Sequence, residues 1–466
     1  MNQHLFPREV YIERRKQLRS KLTNGIVLLP GNEESSMNYK DNCYPFRQDS
    51  TFLYYTGLDQ PGLAVIFDLD ENREILFGEN SGIDDIIWTG PQPLIQELAE
   101  SVGIAASDNT AKLASLLSEA LKAQRPIHIL PPYRPENKIK LANILNTSIA
   151  QLSRFVSEPL IRSVIAQREI KEAREIAEMD KAVSISTDMH LAAIQNARPG
   201  MKEYELAAQV EAIALANNGR LSYPVILTIN GQTLHNHYHG NTIQEGQMVL
   251  VDAGAETSMH YAGDLTRTFP VGKQFTSRQR DLYNVVLNAL DHAVSLLRPG
   301  IQYKEVHTQA CIKLAEGLTA VGLMKGNATE AVAAGAHTMF FQCGLGHMIG
   351  LDVHDMEDLG EPLVGYDDQL KKSTAFGWKS LRLGKTLLTG FALTVEPGIY
   401  IIPELIDRWK AEQKHASFIN YDLLNDYRNF GGIRIEDNYV ITADGSQKLG
   451  KSLPKTLSAI EALRNN

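Results

Sequence analysis

One segment of the chain occurs twice, one hundred residues apart. "RPGMKEYELAAQV" begins at Arg198 and "RPGIQYKEVHTQA" at Arg298; the Arg-Pro-Gly tripeptide, Glu205/Glu305, Leu206/Val306 and Gln209/Gln309 coincide. In each copy Pro-Gly stops a long helical pattern and a second helical pattern opens directly after it. A Pro-Gly stop is common on its own, so the longer register is what argues for a duplicated helix–helix–sheet unit. A strand-rich stretch is expected after each copy. Two such halves packed face to face leave a cleft near their pseudo-symmetry axis, where ligands commonly bind.

The duplication occupies only the second part of the chain. Upstream, strand patterns at 25–30, 63–70, 74–77 and 126–130 alternate with helical spacing in "PLIQELAESVG" and "AKLASLLSEALKA". That alternation predicts a smaller α/β domain. A long charged helical pattern, "REIKEAREIAEMDKAVSISTDMHLAAIQNA", then starts the second part, with Ile170, Ala173, Ile176 and Ala177 as its expected apolar stripe. A chain of 466 residues exceeds what one core usually organises. We therefore expect two domains, 1–165 and 166–466.

Composition narrows the function classes. A net charge of −9 with no basic run argues against nucleic-acid binding. No apolar run reaches a membrane-spanning length, and the start "MNQHLFPREVYIERRKQLRSKL" lacks the apolar core of a signal peptide. Cys43, Cys311 and Cys343 show no paired spacing, which fits a reducing, cytoplasmic compartment.

Four acidic residues end apolar strand-like runs. Asp252 closes "MVLVDAG"; Asp264 stands in "HYAGDLTRTFP" with Thr266 and Thr268 on its strand face. Glu396 follows "FALTV", and Glu436 lies in "GGIRIEDNYVIT" with Arg434 on its own face. A single strand-end acid is usually a salt-bridge partner. Four of them, with histidines from the glycine-rich stretch "FQCGLGHMIGLDVHD" (341–355), are harder to place that way. Buried carboxylates need compensating cations, and two divalent ions would balance four. An oxygen-rich set with one imidazole suits Mn²⁺ better than Zn²⁺ or Co²⁺, which remain alternatives. Paired ions about 3.5–4 Å apart activate water and clamp a carbonyl, so the chemistry suggested is hydrolysis.

"VDAG…YAGDLTRTFP", "GLGHMIGLDVHD", "TVEPGIY" and "GGIRIED" resemble, in that order, the signature blocks of the Xaa-Pro peptidases. These are aminopeptidase P and prolidase, metallopeptidases of the pita-bread fold. "YPFRQDSTFLYYTGLDQPGLAVIFD" is similar to the amino-terminal domain they share, so the likeness covers nearly the whole chain. The resemblance implies an α/β two-domain chain: a small α/β amino-terminal domain of the creatinase/aminopeptidase P type, then a pseudo-two-fold α+β pita-bread catalytic domain. It implies two divalent ions, one held by Asp252, the other by His347 and Glu396, with Asp264 and Glu436 bridging both. It implies substrate-facing roles for His354 and for His235, which has His237 and His239 close by. His354 would stabilise the carbonyl oxygen, Glu396 would shuttle the proton, and Arg434 would brace the metal-binding strand. A homo-oligomer, dimer or tetramer, is expected on the same ground, with proline-containing peptides as substrate.

One position departs from the family pattern. Cys343 stands where the family usually has a substrate-pocket histidine, and a thiol is a smaller, weaker hydrogen-bond partner. The subtype stays open between aminopeptidase P, to which the first domain and "YAGDLTRTFPV" look closer, and prolidase. The latter is suggested by Arg382, which matches a prolidase arginine that grips a dipeptide carboxylate. A non-catalytic binding module and a metal-free hydrolase of the creatinase kind also share the fold, but the former relatives have lost ligand residues.

Overall fold

The computed structural model describes residues 6–465. The chain divides into two compact units, one running up to Arg168 with Glu357–Leu363 added, the other comprising Glu169–Met356 and the chain from Val364 onward.

The first unit is built on a five-stranded sheet in the order Ala106–Asp108, Arg73–Phe77, Ala64–Asp68, Ile26–Pro30, Ile127–His128. The three central strands pair antiparallel and the two edges pair parallel. Alternate residues of the strands (Ile26 and Leu28, Ala64 and Ile66, Phe77) form one core face. The Thr110–Lys122 helix lays Leu113, Leu117 and Ala120 on that face, a spacing of four then three. The Asn109 side chain caps it, accepting from Lys112 N at 3.1 Å. The strands expected here are present, and the short Ala106–Asp108 edge is an addition the sequence pattern did not signal.

The second unit carries the duplication. Helices Ala173–Asn196 and Glu203–Ala216 form one pair, Ser277–Leu296 and Tyr303–Ala320 the other. The turn between the helices of each pair is a Pro-Gly with Gly200 at φ +90° and Gly300 at φ +86°, a left-handed conformation that glycine adopts without strain. Each turn is pinned in the same way. Gly200 N donates to Ile243 O and Ile243 N to Met201 O; Gly300 N donates to Leu387 O and Leu387 N to Ile301 O, all at 2.8–2.9 Å. Each half also supplies a three-stranded antiparallel sheet: Leu265–Pro270, Met248–Ala253, Ile226–Thr228 in the first, and Ala392–Val395, Asp437–Ile441, Ser446–Lys448 in the second. The halves join where Glu436 N donates to Thr266 O at 3.0 Å.

Three expectations need correction. The long helix does not begin at Arg168: one helix ends there, and the next starts at Ala173 after a break that Lys171 N anchors on Gly390 O. Its buried stripe is consequently Met179, Ala182, Val183, Ser186, His190 and Ala193, while Ile170 precedes the helix and Ala173 and Ala177 face outward. The second copy is not followed at once by strands, because residues 321–391 fold as short helices and turns before the sheet resumes. Among the described residues no helix is long and apolar enough to cross a membrane.

Candidate metal centre

The junction of the two half-sheets places the strand-end acids together. Asp252 lies in the Met248–Ala253 strand, register partner of Thr266 across the sheet. Asp264 precedes the Leu265–Pro270 strand and donates its backbone N to Asn438 Oδ1 at 2.9 Å. Glu436 sits between the Gly432–Arg434 and Asp437–Ile441 strands, and Glu396 between Ala392–Val395 and Gly398–Tyr400. Thr266 and Thr268 face them as the two-residue period requires: Thr266 Oγ1 donates to Glu436 Oε2 at 2.7 Å and Thr268 Oγ1 to Arg434 O at 3.1 Å.

His347 arrives on an irregular segment pinned to the second half-sheet. Its N donates to Thr394 Oγ1 at 3.2 Å and its carbonyl accepts Thr394 N at 3.0 Å. Its Nδ1 stands 3.0 Å from Met348 O and can only donate there, so the proton of the neutral ring is on Nδ1. Nε2 then turns a lone pair toward Asp264 Oδ2 at 3.4 Å and Glu396 Oε1 at 3.6 Å. Ligand atoms of Asp264, His347 and Glu436 all lie within 4.8 Å of one another.

This arrangement has too few protons and too many lone pairs. The Tyr223 hydroxyl is 2.5 Å from Oδ1 of both Asp252 and Asp264, yet it carries one hydrogen and can serve only one of them. Glu436 Oε1 is buried without a partner. Arg434 bonds Asp252 Oδ2 through Nη2 at 2.5 Å, and gives its other nitrogens to Tyr400 Oη (2.8 Å) and Thr266 Oγ1 (3.2 Å). The titration of the group reflects the same excess. Burial, with the neighbouring carboxylates, pushes Glu396 up to about 7 and Glu436 well above the usual carboxylate range. Burial also raises Asp252, against the pull of Arg434. Burial opposes charging His347, but Asp264 and Glu396 outweigh it and raise its pKa. Asp264 alone is lowered: burial pushes it up, but His347, Tyr223 and His354 together outweigh that. Protons and divalent cations answer the same deficit, and the donor set of four carboxylates and one imidazole nitrogen fits hard divalent ions.

The side chains line a cavity of about 210 Å³. Asp252, Asp264, His347, Glu396 and Glu436 all reach it, as do His235, His354, Arg382, Arg434 and Cys343. His237 lines it too, while His239 turns away and bonds Val225 O at 3.1 Å. Burial holds His235 below its ordinary pKa. The Cys343 thiol is 3.9 Å from Tyr400 Oη, a weak contact, and burial with Glu396 nearby pushes its pKa up to about 12. At neutral pH it is a thiol, not a nucleophilic thiolate. Tyr223 and Tyr400 are among the lining residues the sequence did not single out. Tyr400 closes the "TVEPGIY" block, which is a usable signal; Tyr223 stands in a stretch without one.

Comparison with known proteins agrees with this architecture. Residues 177–443 match metallopeptidase family M24, and residues 11–129 match the aminopeptidase P N-terminal domain. The chain is 32% identical over 454 residues to a "Probable Xaa-Pro aminopeptidase" of Aspergillus clavatus, covering 94% of this chain and 92% of that one. It is 30% identical to the Xaa-Pro dipeptidase of Homo sapiens (98% and 92% covered) and 30% identical to the Xaa-Pro aminopeptidase of Escherichia coli (98% and 97%). Among solved structures, proline aminopeptidase P II from Yersinia pestis superposes with a TM-score of 0.81 at 29% identity, covering 99% of this chain and 100% of that one. With its acids gathered at the junction of a duplicated fold and both domains matched, the chain belongs to metallopeptidase family M24, among the Xaa-Pro peptidases.

Proposed function

We propose that the protein is a dinuclear-metal exopeptidase that hydrolyses the amino-terminal Xaa-Pro bond of peptides, in the manner of aminopeptidase P. The observation that carries this reading is the buried carboxylate cluster, with Glu436 Oε1 left without a partner and His347 Nε2 facing oxygens. Asp252, Asp264, His347, Glu396 and Glu436 would hold two divalent ions, Mn²⁺ in preference to Co²⁺ or Zn²⁺ on the hardness of the donors. When bound, such ions polarise the scissile carbonyl and make water nucleophilic near neutral pH.

The chain's own groups do the rest. Glu396, beside the attacking water, takes its proton and returns it to the proline nitrogen as that bond breaks. His354 donates to the carbonyl oxygen as negative charge develops there. His235 contacts the substrate, and Arg434 holds Asp252 in place. An Xaa-Pro amide has no N–H, so a site that offers no acceptor for one tolerates proline.

A second reading, strict Xaa-Pro dipeptidase, is favoured by one observation: Arg382 lines the cavity and could pair with a dipeptide carboxylate. Rates on an Xaa-Pro-Xaa tripeptide and an Xaa-Pro dipeptide with added Mn²⁺ separate the two. Efficient tripeptide cleavage is the expected result; cleavage of the dipeptide alone would move the enzyme to the second reading. In that case Arg382→Ala should cost about 10-fold or more in dipeptide kcat/KM, the weight of a charge-assisted bond of about 1.5–3 kcal/mol. No turnover of either peptide would end the peptidase reading.

We also propose that the protein is a homo-oligomer, dimer or tetramer. The Ile83–Thr89 helix buries none of its residues, and Trp88 is 86% exposed beside exposed Ile83 and Ile87. A contiguous apolar patch of this kind is costly to leave in water. Light scattering should report a dimer or larger species for the wild type and a smaller one after Ile87→Glu with Trp88→Glu; a monomeric wild type would end the proposal. A reducing, cytoplasmic location is supported by the three cysteines, all free.

A further inference from the structure

Beyond the metal-binding and substrate-facing groups, the second unit buries an ion pair that those roles leave unexplained. Lys171 Nζ lies 2.6 Å from Asp355 Oδ2, with 2% and 0% of the two side chains exposed. Two buried charges of this kind add little to stability against apolar residues of the same volume.

The pair closes the segment that carries both site histidines. Asp355 directly follows His354. Its backbone N donates to Met348 O at 3.0 Å, the same carbonyl that accepts His347 Nδ1 at 3.0 Å. Asp355 Oδ1 also accepts Asp352 N at 3.3 Å, so residues 347–355 form a loop tied at its base and cross-braced within. The His347 and His354 rings meet edge to face at that base, centroids 4.3 Å apart. Lys171 comes from the break before the Ala173–Asn196 helix, and its backbone is itself fixed on Gly390 O at 2.8 Å. The ammonium and carboxylate lie directly on Gly350: a Cβ there would stand 2.6 Å from Asp355 Oδ2 and 2.8 Å from Lys171 Nζ. This explains the last glycine of "GLGHMIG".

We propose that Lys171 is a positioning residue: through Asp355 it holds the 347–355 loop in the form that aims His347 Nε2 and His354 into the cavity. The inference rests on the roles proposed above for those two histidines. Gly350 is the clearance that lets the pair form.

Lys171→Met, Gly350→Ala and the double variant Lys171→Met/Asp355→Asn test it, with Mn²⁺ affinity read by calorimetry and kcat and KM on an Xaa-Pro-Xaa tripeptide. Lys171→Met and Gly350→Ala should bind Mn²⁺ about 10–100-fold more weakly, the usual cost of losing a group that orients a ligand. At saturating Mn²⁺, kcat should stay at least about 10-fold down with KM within about 3-fold, the mark of a contact that matters in the transition state. If the single lysine variant does not fold, the double variant, which removes both charges of the pair, carries the test with the same expected losses. A folded Lys171→Met or double variant with wild-type Mn²⁺ affinity and kcat would overturn the inference. Should the wild type bind Mn²⁺ but cleave no proline peptide, the peptidase reading fails separately, and the Mn²⁺ affinities still decide the role of Lys171.

Discussion

Glu436→Gln is expected to remove bound metal and peptide hydrolysis together, while the metal-free variant melts no lower than metal-free wild type. The substitution keeps the volume and the acceptor for Thr266 Oγ1, and removes only the charge. Four carboxylates face one another in the cluster and Arg434, bonded to Asp252, returns a single positive charge. The remaining deficit is what two divalent ions would fill, and Glu436 Oε1, buried and partnerless, is the oxygen most plainly waiting for one. Losing it should cost at least about 10²–10³-fold in kcat/KM, the scale of removing one preorganised electrostatic contact. The fold should not suffer, because a neutral amide in this place repels its neighbours less than a carboxylate does. Metal content by elemental analysis, a tripeptide assay and a melting curve in chelator check the three parts. Full activity with two ions per chain still bound would remove Glu436 from the ligand set.

How much of this could be read from the sequence follows from where the physics is local. The duplicated Pro-Gly turns were readable because a helix stop followed by a helix start leaves a pattern within a dozen residues. The acids were readable because a charge closing an apolar strand run is conspicuous, and Thr266 and Thr268 fell on the facing side by the strand period alone. What could not be read depends on distant partners. The pattern from Arg168 into Ala173 permits one continuous helix; the break exists because Lys171 N and Nζ are each taken up far along the chain, by Gly390 and Asp355. The order of burial on the Ala173–Asn196 helix shifted with that start. Tyr223 bridges Asp252 and Asp264 from a stretch with no period of its own. Among the three neighbouring histidines, only packing separates His235 and His237, which reach the cavity, from His239, which bonds Val225 O.

The same charge deficit gives the metal-free cluster an inverted contribution to the pH dependence of stability. Glu396, raised by burial to about 7, binds its proton more tightly folded than unfolded, where its pKa is about 4.3. Between those two values the native state holds more protons than the unfolded chain, so stability falls as pH rises through that window. Glu436, Asp252 and His347 are raised too and act in the same direction. Asp264 is lowered but titrates below the window; the buried His190, His307 and His337, whose pKa values burial lowers to about 4, 3 and 4, act oppositely within it. For Glu396 alone the loss from pH 5 to pH 8 is of order 3 kcal/mol, a shift of several degrees in the melting temperature of a chain this long. Metal loading removes the protons and reverses the sign. Ligands must be deprotonated to bind, so affinity, and the stabilisation it brings, rises with pH. The rise in melting temperature that saturating Mn²⁺ gives over chelator should therefore be larger at pH 8 than at pH 5.5, a difference in which the other titrating groups cancel. Parallel curves with and without Mn²⁺ would mean that the carboxylates titrate independently of any bound cation, and a metal cluster built on them would no longer stand.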